Sequence, residues 1–198
     1  MNISLDVVED WMTYLRQHPE NRDRFLECFW PSQLKSKVWL IQKLHHLFPA
    51  PRVMYVFGGW YGVFAQLLAE EFPSAHIVSV DIDPTCAEVG EYLCRHRPNI
   101  VFETQDMGKY GQPLPGGVVI NTSTEHVSQE TYNSWWNKIL PGTPFYLQGN
   151  NLDIPEHIRY AASLDHFRIQ NLVDYPHIAT DALYIDGGMT RYMAWGKK

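Results

Sequence analysis

Cysteine is scarce in this chain, and Cys28, Cys86 and Cys94 are joined by no CxxC or Cys/His pattern at zinc-ligand spacing. That argues against a disulfide framework or a zinc site, and the thiols are expected to be reduced, as in an intracellular protein. Basic clusters are missing as well. Sixteen Lys and Arg are scattered among twenty-two Asp and Glu, for a net charge of −6, which leaves little to neutralise a phosphate backbone and disfavours a DNA or RNA substrate. No apolar run approaches the ~20 residues that span a bilayer. The segment MNISLDVVEDWMTYL carries acidic residues and lacks the basic, apolar, small-residue order of a secretion signal. A cytoplasmic location without a membrane partner is the expectation. Two nucleotide signatures are also absent: no Gly-Lys-Ser/Thr run exists, and no G-x-G-x-x-G.

What is present suits one domain over residues 1–198, with 45% hydrophobic content for a sizeable core. Seven Trp and eleven Tyr exceed the needs of a minimal core, so some are candidates to line a pocket. Residues 1–50 place apolar side chains at helical spacing (Val7, Val8, Trp11, Met12, Leu15, then Phe25, Leu26, Phe29, then Leu34, Val38, Ile41, Leu44) and read as a helical amino-terminal extension, broken at Pro31 and ended by Pro49-Ala50-Pro51. From residue 51 the period changes. Val53–Phe57 and His76–Asp81 read as buried strands, with helices after each at 62–72 and 84–95. Strand-helix units of ~25 residues imply a parallel sheet with right-handed crossovers. Further strands are expected at 100–104, 117–121 and 143–148, with a helix at 129–140. Residues 155–167 read as helical, 168–173 and 190–196 as two strands pairing antiparallel at an edge, and 174–189 as a long loop.

Ligands of such sheets bind at the carboxyl ends of the strands, where the first strand-to-helix turn lies. Here that turn is Val56-Phe57-Gly58-Gly59-Trp60-Tyr61-Gly62. Its glycines permit a sharp bend and leave N–H groups facing an anion at the helix start; a plain tight turn is the competing reading. Asp81 ends the second strand 23 residues after Gly58, where a carboxylate accepts from both hydroxyls of an adenosine ribose. Ile82 would then lie against the adenine, and Asp83 either caps the next helix or shares the ribose.

With these pieces the sequence resembles the class I S-adenosylmethionine-dependent methyltransferases over residues 50–198. The motifs are VMYVFGGWYG, VSVDIDP, the acidic station ETQDM, the strand GGVVINTS and the closing strand TRYMAWGKK. The resemblance implies an α/β fold, a three-layer Rossmann-like sandwich around a mostly parallel seven-stranded sheet of order 3-2-1-4-5-7-6, the last strand antiparallel. It implies S-adenosylmethionine as cofactor, with Gly58, Gly59 and Gly62 at its methionine and ribose end, Asp81 on the ribose hydroxyls, Asp106 and Met107 beside the adenine, and Asn121 next to the sulfonium. Trp60 and Tyr61 depart from the usual first motif and offer aromatic faces to the sulfonium cation.

The run Asn121-Thr122-Ser123-Thr124-Glu125-His126 is polar throughout. Glu125 or His126 is the candidate general base, with capping of a short helix as the alternative. Asn150, in Gln148-Gly149-Asn150-Asn151, is a candidate to orient the acceptor or simply a turn residue. Catalytic candidates are thus Asn121, Glu125, His126 and Asn150. Trp135-Trp136 read as packing, and His45-His46 have no partner at metal spacing, so no metal is expected. The preferred expectation is methyl transfer to a small molecule. An enzyme that consumes S-adenosylmethionine itself, by azetidine-carboxylate-type cyclisation, cleavage or aminocarboxypropyl transfer, is the alternative, and a non-catalytic binding module the third. A homodimer is left open.

Overall fold

A computed structural model describes residues 3–111, 116–185 and 187–198. Helices α1 (Leu5–Gln17), α2 (Arg22–Leu26) and α3 (Pro31–Leu47) precede β1 (Val53–Phe57). The alternation then runs α4 (Val63–Glu71), β2 (His76–Asp81), α5 (Pro84–Leu93), β3 (Ile100–Thr104), β4 (Val118–Asn121), α6 (Gln129–Lys138), β5 (Pro144–Asn150), α7 (Leu164–Gln170), β6 (Ala179–Ile185) and β7 (Met189–Lys197). The seven strands form one sheet in the order β3-β2-β1-β4-β5-β7-β6, with β7 antiparallel to both neighbours, as the resemblance implies.

Successive side chains of a strand face opposite sides, and here both sides are covered. Met54, Val56 and Ile77 join one apolar cluster with Trp11, Phe25, Leu40 and Leu44 of the amino-terminal helices and Leu67, Leu68 and Leu93 of α4 and α5. Tyr55, Phe57, Val78 and Val119 join the other, with Tyr132, Trp135 and Trp136 of α6 and Phe167 of α7. Each such side chain contributes ~1.5–3 kcal/mol by leaving water. Between α1, α4 and α5 a buried polar bridge fixes the layer: Trp11 Nε1 donates to Gln66 Oε1 at 2.6 Å, and Gln66 Nε2 donates to the Leu93 carbonyl at 2.9 Å.

Three carboxyl-terminal expectations are corrected. The helix expected over 155–167 begins only at Leu164, because Ser163 caps it by accepting from His166 N; residues 151–161 instead fold back, with Ala161 N donating to the Asn150 carbonyl. Residues 168–173 are not a strand but the end of α7 and the turn after it, closed by Leu172 at φ 56°. The edge strand lies at 179–185, inside the expected loop, and pairs with β7 over all seven residues. Asp186 of that loop lies outside the described residues, as do Met1 and Asn2. Among the described residues no helix is long and apolar enough to cross a membrane.

Candidate functional site

After β1 the chain bends through Gly58 (φ 67°), Gly59 and Trp60 (φ 51°) to Gly62 (φ 76°), the residue that precedes α4. Gly59 sits against β2: a Cβ there would lie 2.0 Å from Ser79 Oγ, and its N–H donates to the Val80 carbonyl. This contact brings the bend to Asp81. Trp60 N donates to Asp81 Oδ2 at 2.9 Å, and Asp83 N donates to Oδ1 at 3.1 Å. A carboxylate has about four acceptor positions, so each oxygen keeps one. The left-handed backbone of Trp60, uncommon for a residue with a Cβ, is held where that bond needs it.

Ile82 beside it is exposed. Asp83 caps α5 by accepting from Thr85 N, and its other oxygen takes Arg24 Nη2 of α2. Those bonds hold its carboxyl below the usual range. The same guanidinium lies 5.1 Å from the Trp60 and Tyr61 rings. Tyr61 is corrected as a ligand contact: it is buried in the core under α2, 6.2 Å from the Phe25 ring. Asp106 accepts from Gly108 N and so starts a 3-10 turn, and Met107 Sδ takes Asn121 Nδ2 at 3.7 Å. Asn121 Oδ1 accepts from Ser123 N at 2.9 Å.

From the glycine bend a cavity of about 490 Å³ extends between the strand ends and the amino-terminal helices. Gly58, Gly59 and Trp60 form one wall, Glu27, Trp30, Leu34 and Lys37 the roof, and Glu125, His126, His157 and Arg191 the far end. Glu125 is buried, and its Oε1 accepts from Arg191 Nη1 at 2.8 Å and from Asn150 Nδ2; Oε2 has no hydrogen-bond partner among the described residues. Asn150 is fully buried behind Glu125 and also accepts from Leu152 N, so it positions the carboxylate rather than a ligand.

His126 and His157 stand edge to face with centroids 4.7 Å apart. His126 Nδ1 faces the Glu156 carbonyl at 3.1 Å, and His157 Nδ1 the Leu152 carbonyl at 2.8 Å. His126 is exposed, yet desolvation by its surroundings pushes its pKa below the ordinary value, against the opposing pull of Glu125. Burial, and then the nearby Arg191 charge, bring the Lys37 ammonium down to about 7. Burial raises the Cys28 thiol to about 12, which makes it inert in the cavity wall.

Of the expected residues, the structure gathers Gly58, Gly59, Trp60, Asp81 and Ile82 at one end, Asp106, Met107 and Asn121 beside them, and Glu125 and His126 in the cavity. Lys37, His157 and Arg191 are absent from the sequence reading. Arg191 carries a weak signal, a lone cation among the apolar residues of a closing strand. His157 carries none, because a non-helical turn aims it. That turn is tied down by Arg159, which donates to the Thr124 and Gln170 carbonyls and to Gln129 and Asn171 side chains. No metal is expected from spacing, yet one ligand atom each from Glu125, His126 and His157 lie within 4.8 Å of one another.

No protein-family model matches the sequence, and a search of curated proteins gives no match. Solved structures do match. The N-methyltransferase NodS from Bradyrhizobium japonicum superposes with a TM-score of 0.63 at 10% identity, over 84% of this chain and 96% of NodS. The mitomycin 7-O-methyltransferase MmcR gives 0.64 at 12%, over 95% of this chain and 60% of MmcR. The S-adenosylmethionine-dependent methyltransferase SibL, in its apo form, gives 0.59 at 12%, over 82% and 56%. The chain thus spans little more than half the length of SibL and MmcR, and it has the class I methyltransferase fold.

Proposed function

We propose that the protein is an S-adenosylmethionine-dependent methyltransferase acting on a small molecule. The observation that carries this is the Asp81 carboxylate, bonded to the glycine bend's own backbone with an acceptor position left on each oxygen. Those positions would hold the two ribose hydroxyls, Ile82 and Asp106 would hold the adenine, and Asn121 would stand beside the sulfonium. The buried Trp60 indole N–H has no acceptor among the described residues, and it supplies a donor for the methionine carboxylate.

The acceptor occupies the cavity beyond the bend, whose volume suits a small molecule. A methyl sulfonium is already electrophilic, so the protein chiefly aligns the acceptor and receives its proton. Because carbonyl oxygens only accept, each Nδ1 of His126 and His157 carries the hydrogen in the neutral ring, and each Nε2 is left with a lone pair. Those nitrogens and Glu125 Oε2 are proton acceptors of residues that line the cavity.

Calorimetry with S-adenosylmethionine tests the cofactor site. Wild type is expected to bind, and Asp81→Asn to bind about 10- to 100-fold more weakly, since one ribose bond to a charged acceptor is worth ~1.5–3 kcal/mol. Equal binding by the two overturns the assignment. Incubation with a panel of small acceptors should release S-adenosylhomocysteine; methylthioadenosine from cofactor alone would point to the sulfonium compound as the substrate instead.

A further inference from the structure

We propose that Glu125, His126 and His157 bind one divalent transition-metal ion in the cavity. Their ligand atoms already lie within 4.8 Å of one another. All three residues line the cavity, so an ion among them keeps open positions toward whatever fills it. Two imidazoles and one carboxylate are a donor set suited to Zn2+, Fe2+ or Co2+, and three protein ligands with open positions are the arrangement of catalytic sites.

Two further observations point the same way. Both Nδ1 atoms are spent on backbone carbonyls, at 3.1 Å from Glu156 and 2.8 Å from Leu152. This is the outer-shell contact that fixes a metal-binding tautomer and turns Nε2 toward the ion. Glu125 Oε2 is buried and has no hydrogen-bond partner among the described residues, while Oε1 is held by Arg191 and Asn150. A buried carboxylate oxygen without a partner is costly unless something cationic meets it. Arg191 bonds Oε1, not Oε2. The ion supplies what Oε2 lacks.

The binding claim stands apart from the methyl-transfer reading; its use in catalysis rests on that reading. With the ion present, Nε2 and Oε2 are ligands rather than bases, and the ion coordinates a hydroxyl oxygen of the acceptor. Coordination lowers the pKa of that hydroxyl, and its proton leaves to water. The oxygen then forms a bond to the methyl carbon as the carbon–sulfur bond breaks, its electron pair staying on sulfur.

Co2+ is the probe, added to untagged, chelator-treated protein. We expect about one equivalent to bind with visible d–d absorption, displaced by Zn2+. His126→Ala and His157→Ala, with wild-type circular dichroism, should each bind about 100-fold more weakly or worse, because losing even an outer-shell partner costs ~10- to 100-fold. Glu125→Gln strands Arg191 and is informative only if it folds, so the histidine variants carry the test. Absent Co2+ binding, or binding unchanged in both histidine variants, overturns the site. Calorimetry of S-adenosylmethionine on the metal-free protein separates the outcomes: cofactor binding without Co2+ binding sinks the metal site alone, and the reverse sinks the methyl-transfer reading alone.

Discussion

Lys37, which lines the cavity, shows how a single residue can cost stability. Its ammonium is brought down to about 7 by burial and Arg191, against the opposing charge of Glu125. Between about 7 and its ordinary 10.5 the unfolded chain holds a proton that the folded chain has released. On this group's account stability therefore rises with pH across that window and is lowest below it. Lys37→Met should flatten this dependence and raise neutral-pH stability by about 1–3 kcal/mol, read from urea melts at several pH values. Gly59→Ala is the opposite case. The added methyl meets Ser79 Oγ at the contact that brings the bend to Asp81, so cofactor binding should fall at least 10-fold, with recovery in the Gly59→Ala, Ser79→Gly double variant. Gly58, Gly59, Gly62 and Asp81 could be located from the sequence because the turn and the strand end that carry them are local features. Lys37 and Arg191 could not, since what defines them is a meeting of α3, β7 and the turn after β4.

Among the elements, the central strands were legible because burial on both faces writes an unbroken apolar run. β6 was not. Only Ile185 of its seven residues is buried, and ATDALYI looks like a loop until β7 pairs with it. The turn at 151–161 was hidden for another reason: its shape comes from polar bonds to distant carbonyls, which leave no periodicity. Arg159 is the organiser of that turn, and its guanidinium also lies 4.3 Å from the Tyr132 ring. Arg159→Ala should cost about 2–4 kcal/mol in a denaturant melt, since it strands several buried acceptors together. Because the Arg159 side chain holds the Thr124 carbonyl, next to Glu125, the same variant should lose Co2+ affinity although it removes no ligand. Unchanged affinity at reduced stability would show that His157 is placed by something else.

For the molecule as a whole, the sheet order followed from the family resemblance, whereas the use of the first fifty residues did not. The expected helical extension is the roof of the cavity: Glu27, Trp30, Leu34 and Lys37 all face into it. Arg24 fastens this roof to the start of α5 and the glycine bend by bonding Asp83 and Thr85 and lying over Trp60. Arg24→Ala should leave the sheet folded but raise the KM for the acceptor by about 10-fold, on the scale of a 1–3 kcal/mol coupling between sites. Because the clamp grips the very loop that S-adenosylmethionine would order, steady-state kinetics should follow a compulsory sequence: the nucleotide enters first, tightens the ceiling, and only then is the second compartment shaped to receive its guest.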